Sequence, residues 1–138
     1  MRINDLENLA KKYRREIFEK FLETKQGHPG SIFSMMEIVV SLYYGGFLRF
    51  DRSKKKFIDK FLISKGHATS ALYPILRDHG VISKNDWNKW GKSQSQLRIF
   101  GNTSIPGIDI TSGSLGHCIG SGAGMAISYK NNNQDKKV

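Results

Sequence analysis

The chain has 138 residues, a formal charge of +10 and one cysteine. Cys118, being alone, excludes an internal disulfide and points to a reducing, cytoplasmic address. Asn4, Asp5 and Glu7 fall where a secretory signal would be apolar, and no apolar run approaches a membrane span.

A first helix is predicted over residues 4–24, where Leu6, Leu9, Ala10, Tyr13, Ile17, Phe18, Phe21 and Leu22 share one face. Asn4 and Glu7 have the spacing of a capping pair. Ser34 and Glu37 repeat that spacing before a nearly all-apolar helix, Met35 to Tyr44, which Gly45-Gly46 ends. Arg49, Arg52, Lys54, Lys55, Lys56 and Lys60 then concentrate the positive charge, the pattern of a nucleic-acid patch. Asp51 and Asp59 interrupt that run, and Phe50 and Phe57 suit core anchors equally well. The preferred reading is a solvated basic connector, with no nucleic-acid partner, leading to an interior strand at Phe61-Leu62-Ile63.

A helix is expected from Thr69 to His79, with Pro74 tolerable only near a first turn, and Gly80 as its stop. Ser83 with Asp86 opens a short helix carrying Trp87 and Trp90. Residues 91–113 have no period and read as a long loop, a length usually reserved for function or disorder. The last helix, about Ser114 to Lys130, carries Gly116, Gly120, Gly124 and Ser128 at steps of four, a flat face suited to close packing against a sheet or helix. Asn131 to Lys137 is a polar breaker before Val138. One strand entering a glycine-rich turn and a helix belongs to a βαβ unit, so a partner strand is expected next. Residues 1–138 therefore read as one partial α/β domain.

Three segments carry chemistry: Gly27-His28-Pro29-Gly30, Ser64-Lys65-Gly66-His67-Ala68 and Gly113-Ser114-Leu115-Gly116-His117. The second, at a strand end, offers backbone N–H groups, a hydroxyl, an ammonium and an imidazole to an anion. The third offers a helix N-terminus, and two such sites suit a diphosphate. Each taken singly is also an ordinary loop-to-helix turn. His28, restrained by the proline after it, is preorganised for proton transfer or a hydroxyl contact. His79 is placed to bind the last carbonyls of its helix, and His117 to reach a ligand or to cap. Cys118 reads as a packing residue, and the four histidines have no zinc spacing.

In this order the three segments, with Pro106-Gly107-Ile108-Asp109-Ile110-Thr111-Ser112 leading into the third, resemble the N-terminal half of transketolase across nearly the whole chain. The Ser-Leu-Gly-His form is most similar to short, split transketolases whose second half is a separate polypeptide. The resemblance implies a parallel sheet flanked by helices that binds thiamine diphosphate and magnesium. It implies transfer of a two-carbon ketol unit between sugar phosphates, with the cofactor carrying the hard chemistry. It places His28 beside the reacting carbon, His67 on the diphosphate, and Gly113, Ser114 and Leu115 over the cofactor. Two departures stand out. Gly101-Asn102-Thr103-Ser104 occupies the place of a second Gly-His-Pro segment, and the Gly-Asp-Gly element that holds magnesium has no counterpart in these residues. A C-terminal transketolase polypeptide, in a homo- or hetero-oligomer, is the expected partner, and the isolated chain is expected to be inactive. The alternatives are a non-catalytic interaction module and a fragment of a related enzyme such as deoxyxylulose-phosphate synthase.

Overall fold

The apolar stripe of the N-terminal region winds into α1 (Ile3–Thr24), which buries Ala10, Tyr13 and Ile17 and exposes Glu7, Lys11, Lys12, Glu19 and Glu23. The computed structural model describes residues 1–138. After α1 come α2 (Pro29–Phe33), α3 (Met36–Tyr44), a hairpin of β1 (Phe50–Asp51) and β2 (Lys56–Phe57), a 3-10 helix over Gly66–Leu72, α4 (Tyr73–Asp78), α5 (Lys84–Asn88) and α6 (His117–Asn131). The core lies where α1, α3, α4 and the 3-10 helix meet, around Tyr13, Met36, Val39, Leu72, Ile75 and Leu76. No helix is long and apolar enough to cross a membrane.

Several boundaries differ from the sequence reading, each for a local reason. The Arg2 backbone N–H donates to Asp5 Oδ2 at 3.1 Å, so the cap of α1 lies two residues before the expected Asn4–Glu7 pair. Ser34 closes α2 instead of opening α3, its N–H donating to Gly30 O at 3.1 Å. Glu37 is drawn away from capping by the Arg14 guanidinium, which also donates to Phe33 O. The predicted helix over Thr69–His79 splits in two. Pro74 has no N–H to give Ser70 O, and Tyr73 N–H donates to that carbonyl in the tighter 3-10 pattern. Pro74 then sits in the first turn of α4, the one place it is tolerated. Ser83 and Asp86 form the reciprocal cap of α5 as expected, Asp86 N–H donating to Ser83 Oγ at 3.1 Å.

The basic run folds into the hairpin, with Phe50 opposite Phe57 and Asp51 opposite Lys56. Its two phenylalanines are anchors: their rings lie 4.6 Å apart, and Phe57 meets Tyr43 edge-on at 4.9 Å. Behind them sits an ion pair that no spacing announced. Asp59 is 1% exposed and accepts from Arg49 N, Nε and Nη2 at 3.0, 2.9 and 2.6 Å, and from Lys137 N at 2.9 Å. The Arg49 guanidinium holds the Asp59 carboxyl well below the ordinary carboxylate range.

Phe61-Leu62-Ile63, read as an interior strand, has no ladder partner; the two strands of the hairpin are the whole sheet, and they are antiparallel. The reason is the absence of a neighbouring strand: only Lys60 N–H donates across, to Lys137 O at 2.9 Å. The last helix begins at His117 and not at Ser114, because Gly116 takes φ +86°, outside the helical region. Its glycine stripe does not pack as expected. Side-chain carbons built on Gly116, Gly120 and Gly124 would meet nothing, Ile119 is 76% exposed, and Cys118 is the one buried residue of α6.

Candidate functional site

Pro29 opens α2, and His28 caps it with φ −128° and ψ 76°, its carbonyl accepting from Ile32 N at 3.1 Å. This puts the His28 ring in the open at the end of α2. The second segment delivers His67 to the same place. The 3-10 helix packs against α2, and the His28 and His67 rings meet edge-to-face with centroids 5.0 Å apart. Ser31, one turn beyond His28, joins its Oγ to His67 Nε2 at 2.9 Å. Lys65 Nζ donates to Ser31 O at 2.7 Å and to Ser34 Oγ at 3.2 Å. Ser31 was missed in the sequence, where its place three residues after His28 was the available signal.

Gly66 joins the second segment to the third. A side-chain carbon there would lie 1.4 Å from Ser112 O, so the two backbones touch where only glycine fits. Thr69 Oγ1, buried, donates to Gly66 O at 2.7 Å and sets the turn. Beyond Ser112, whose Oγ donates to Ser114 O at 3.0 Å, the loop Gly113–Gly116 stands exposed. The Leu115 side chain is 73% exposed. Leu115 and Gly116 border an apolar groove of about 490 Å³ that runs past Met35, Ile38 and Ile63 to Lys65. His28 and His67 thus form one cluster, with Gly113, Ser114 and Leu115 on the far side of Ser112, linked to it through Gly66 and through Lys65.

Two groups of the expected anion cradle are committed elsewhere. Ser64 Oγ accepts from Cys118 N at 3.1 Å, tying the second segment to the start of α6, and the Lys65 ammonium is turned onto α2. His79 takes the structural role expected of it, donating from Nδ1 to Ile75 O at 2.9 Å among Tyr44, Phe50 and Phe57. His117 is exposed on the first turn of α6. Cys118 is a packing residue, buried, with its thiol donating to Ile63 O at 3.3 Å.

A histidine pair beside an open, glycine-bordered helix start can move protons and give backbone N–H groups to an anion. The arrangement also leaves Leu115 bare for an apolar ring to cover. No group of three or more His, Cys, Asp or Glu side chains converges to hold a metal. The imidazoles, the exposed loop backbone and the bare Leu115 side chain are what this cluster offers a ligand, and no metal-binding set is among them.

Residues 7–137 match the family described as transketolase, thiamine diphosphate binding domain, which sets the class of protein. Within that class the chain belongs to the transketolase family, matching its N-terminal, thiamine diphosphate-binding region. It is 33% identical to a subunit of the apulose-4-phosphate transketolase of Phocaeicola vulgatus, over 100% of this chain and 50% of that protein. The like-named polypeptide of Actinobacillus succinogenes is 30% identical, over 98% of this chain and 50% of that protein. Transketolase-like protein 2 of Mus musculus is 28% identical, over 91% of this chain and 20% of that protein. The chain spans about half the length of the two apulose-4-phosphate transketolase relatives.

Proposed function

We propose that this chain supplies the thiamine diphosphate-binding part of a transketolase that transfers a two-carbon ketol unit between sugar phosphates, completed by sequence outside these residues. The contact of the His28 and His67 rings at 5.0 Å, inside a family match over residues 7–137, is the observation that carries the reading. Thiamine diphosphate supplies the carbon nucleophile of such transfers when bound. His28, exposed and unencumbered by hydrogen bonds from its ring, faces the substrate and handles the proton of a sugar hydroxyl. His67, its Nε2 steadied by Ser31, contacts the diphosphate. Gly113 and Ser114 give backbone to the cofactor, and Leu115 covers its ring. The magnesium ligands come from elsewhere, since no acidic cluster converges here.

In this reading the parallel sheet of the family would run along Phe61–Ile63. The bond from Lys60 N–H to Lys137 O supports this, since it brings Val138 beside Phe61 and Leu62 in one groove. A strand continuing from there would pair with Phe61–Ile63 and shelter the apolar side of α6. The partners are the sequence that corresponds to the other half of the apulose-4-phosphate transketolase relatives and a C-terminal transketolase polypeptide. The single, buried cysteine is in keeping with the cytoplasm.

Calorimetry with thiamine diphosphate, with and without magnesium, tests this on the chain alone and mixed with those two partner polypeptides from the same genome. The expected result is weak binding alone and tight, magnesium-dependent binding in the mixture. Tight magnesium-dependent binding by the chain alone would overturn the claim that the metal site lies elsewhere. No binding in the mixture would overturn the cofactor reading and leave an interaction module.

A further inference from the structure

Positive charge is not spread evenly over the molecule. Residues 49–60 and 130–137 hold nine of the 22 lysines and arginines but only three of the 12 acids. These two stretches, far apart in the chain, fold into one face. Arg49 Nη1 donates to Asp135 Oδ2 at 2.6 Å, Lys137 N–H to Asp59 Oδ1 at 2.9 Å, and Lys60 N–H to Lys137 O at 2.9 Å. Between the hairpin and the end of α6 lies a cleft of about 320 Å³, whose walls include Lys54, Lys56, Lys60, Lys136 and Tyr129.

The sequence reading of a solvated connector with no nucleic-acid partner rested on Asp51, Asp59 and two aromatic residues suited to the core. Phe50 and Phe57 are indeed anchors, but the acids do not cancel the charge. Asp59 is buried against Arg49, which also holds Asp135. Asp51 Oδ1 shapes the turn, accepting from Ser53 N, Ser53 Oγ and Lys54 N at 2.9, 2.6 and 3.1 Å, and its Oδ2 lies 4.0 Å from Lys54 Nζ. Arg52, Lys55, Lys56, Lys130, Lys136 and Lys137 are left exposed without an ion pair. Lys55 takes φ +48°, a conformation that glycine or asparagine adopts more readily. A charge kept at the hairpin tip against that strain points to a use for the charge.

Three features favour a nucleic acid over other polyanions. Lysine is depleted at protein–protein interfaces, whereas nucleic-acid interfaces are strongly positive, and a backbone that runs over a surface is met by exposed cations. The apolar anchors that a protein or a membrane would take are scarce, since Phe57 in the cleft is 5% exposed and Ile58 37%. Tyr129, half-buried, brings an aromatic ring to the lysines, with Lys136 Nζ 5.0 Å from its centre. A base stacks on a ring so placed beside cations.

We propose that this face binds a single-stranded nucleic acid, with phosphates on Lys54, Lys56 and Lys136 and a base against Tyr129. The inference is independent of the transketolase reading, and the cleft shares no residue with the histidine cluster.

The test is fluorescence anisotropy of a labelled oligouridylate titrated with the chain, alone and mixed with the partner polypeptides. The expected result is binding that weakens at least tenfold between about 50 and about 200 mM salt. Replacing Lys54, Lys56 and Lys136 together by glutamine weakens it at least tenfold and lowers the slope of log affinity against log salt by about 2. Circular dichroism stays unchanged, since Lys54 alone of the three makes an ion pair, at 4.0 Å. Replacing Lys11, Lys84 and Lys89 by glutamine removes the same charge outside the cleft and leaves affinity within about threefold. Tyr129→Leu weakens binding about fivefold with the salt slope unchanged. No binding at low salt, equal losses in the two triple variants, or tighter binding to polyglutamate or phosphatidylserine vesicles than to the oligonucleotide would overturn the proposal.

Discussion

His28 and His67 differ in their hydrogen bonding. His67 has its Nε2 engaged by Ser31 at 2.9 Å, whereas His28 is exposed and touches only the edge or face of its neighbour. His67→Ala in the assembled enzyme is expected to weaken thiamine diphosphate binding at least tenfold by calorimetry. His28→Ala is expected to lower kcat of ketol transfer by about a hundredfold, the scale of a lost acid–base group, with cofactor affinity within threefold. Equal loss of cofactor affinity in both variants would remove this distinction between them. At Asp59 the consequence is for stability. Its folded pKa lies below the unfolded value of about 3.9, so its contribution is present above that pH and is lost as pH falls toward the folded value. Asp59→Ala is expected to lower stability near neutrality, since it leaves the Arg49 and Lys137 backbone N–H groups without their acceptor. Urea unfolding from about pH 7 to about pH 3 should show the gap between unaltered and variant chains narrowing once the pH drops below about 4.

Among the elements, α3 and α6 make opposite use of apolar residues. Met36, Val39, Val40 and Tyr43 of α3 are buried against α1 and the 3-10 helix. By contrast α6 buries Cys118 and leaves Ile119 and Ile127 at 76% and 59% exposure. Local opening is easiest where few apolar contacts must break. Amide hydrogen exchange followed by mass spectrometry is therefore expected to run at least tenfold faster in α6 than in α3, and to slow in α6 on mixing with the partner polypeptides. Uniform protection of both helices in the isolated chain would count against the open face. The same contrast shows why some elements were legible and others were not. Ser83 and Asp86 act within one turn of each other, so their spacing alone predicts the cap of α5. Glu37 has the same spacing from Ser34, yet Arg14, on another helix, takes its carboxylate. No local pattern contains that competitor.

For the molecule as a whole, the charge of +10 resolves into separate local fates. Arg49 is bound to Asp59 and Asp135, Lys60 to Asp109, and Arg77 to Glu16 and Asp78. Others, such as Lys11, Arg52, Lys55 and Lys56, make no ion pair and stand exposed. Composition sums these charges without distinguishing them. The sequence by itself determined the family, the three glycine–histidine segments, and the helices whose periodicity and caps are encoded within a few residues of one another. Only the tertiary structure decided that the first two segments meet ring to ring, that Ser64 and Lys65 are committed to α6 and α2, that Asp59 is buried beneath Arg49, and that Phe61–Ile63 lies without a strand partner. The physical reason is range. Helical periodicity and capping act over one to three turns, whereas ring contacts, ion pairs and strand ladders depend on groups far apart in the chain whose positions are set by packing.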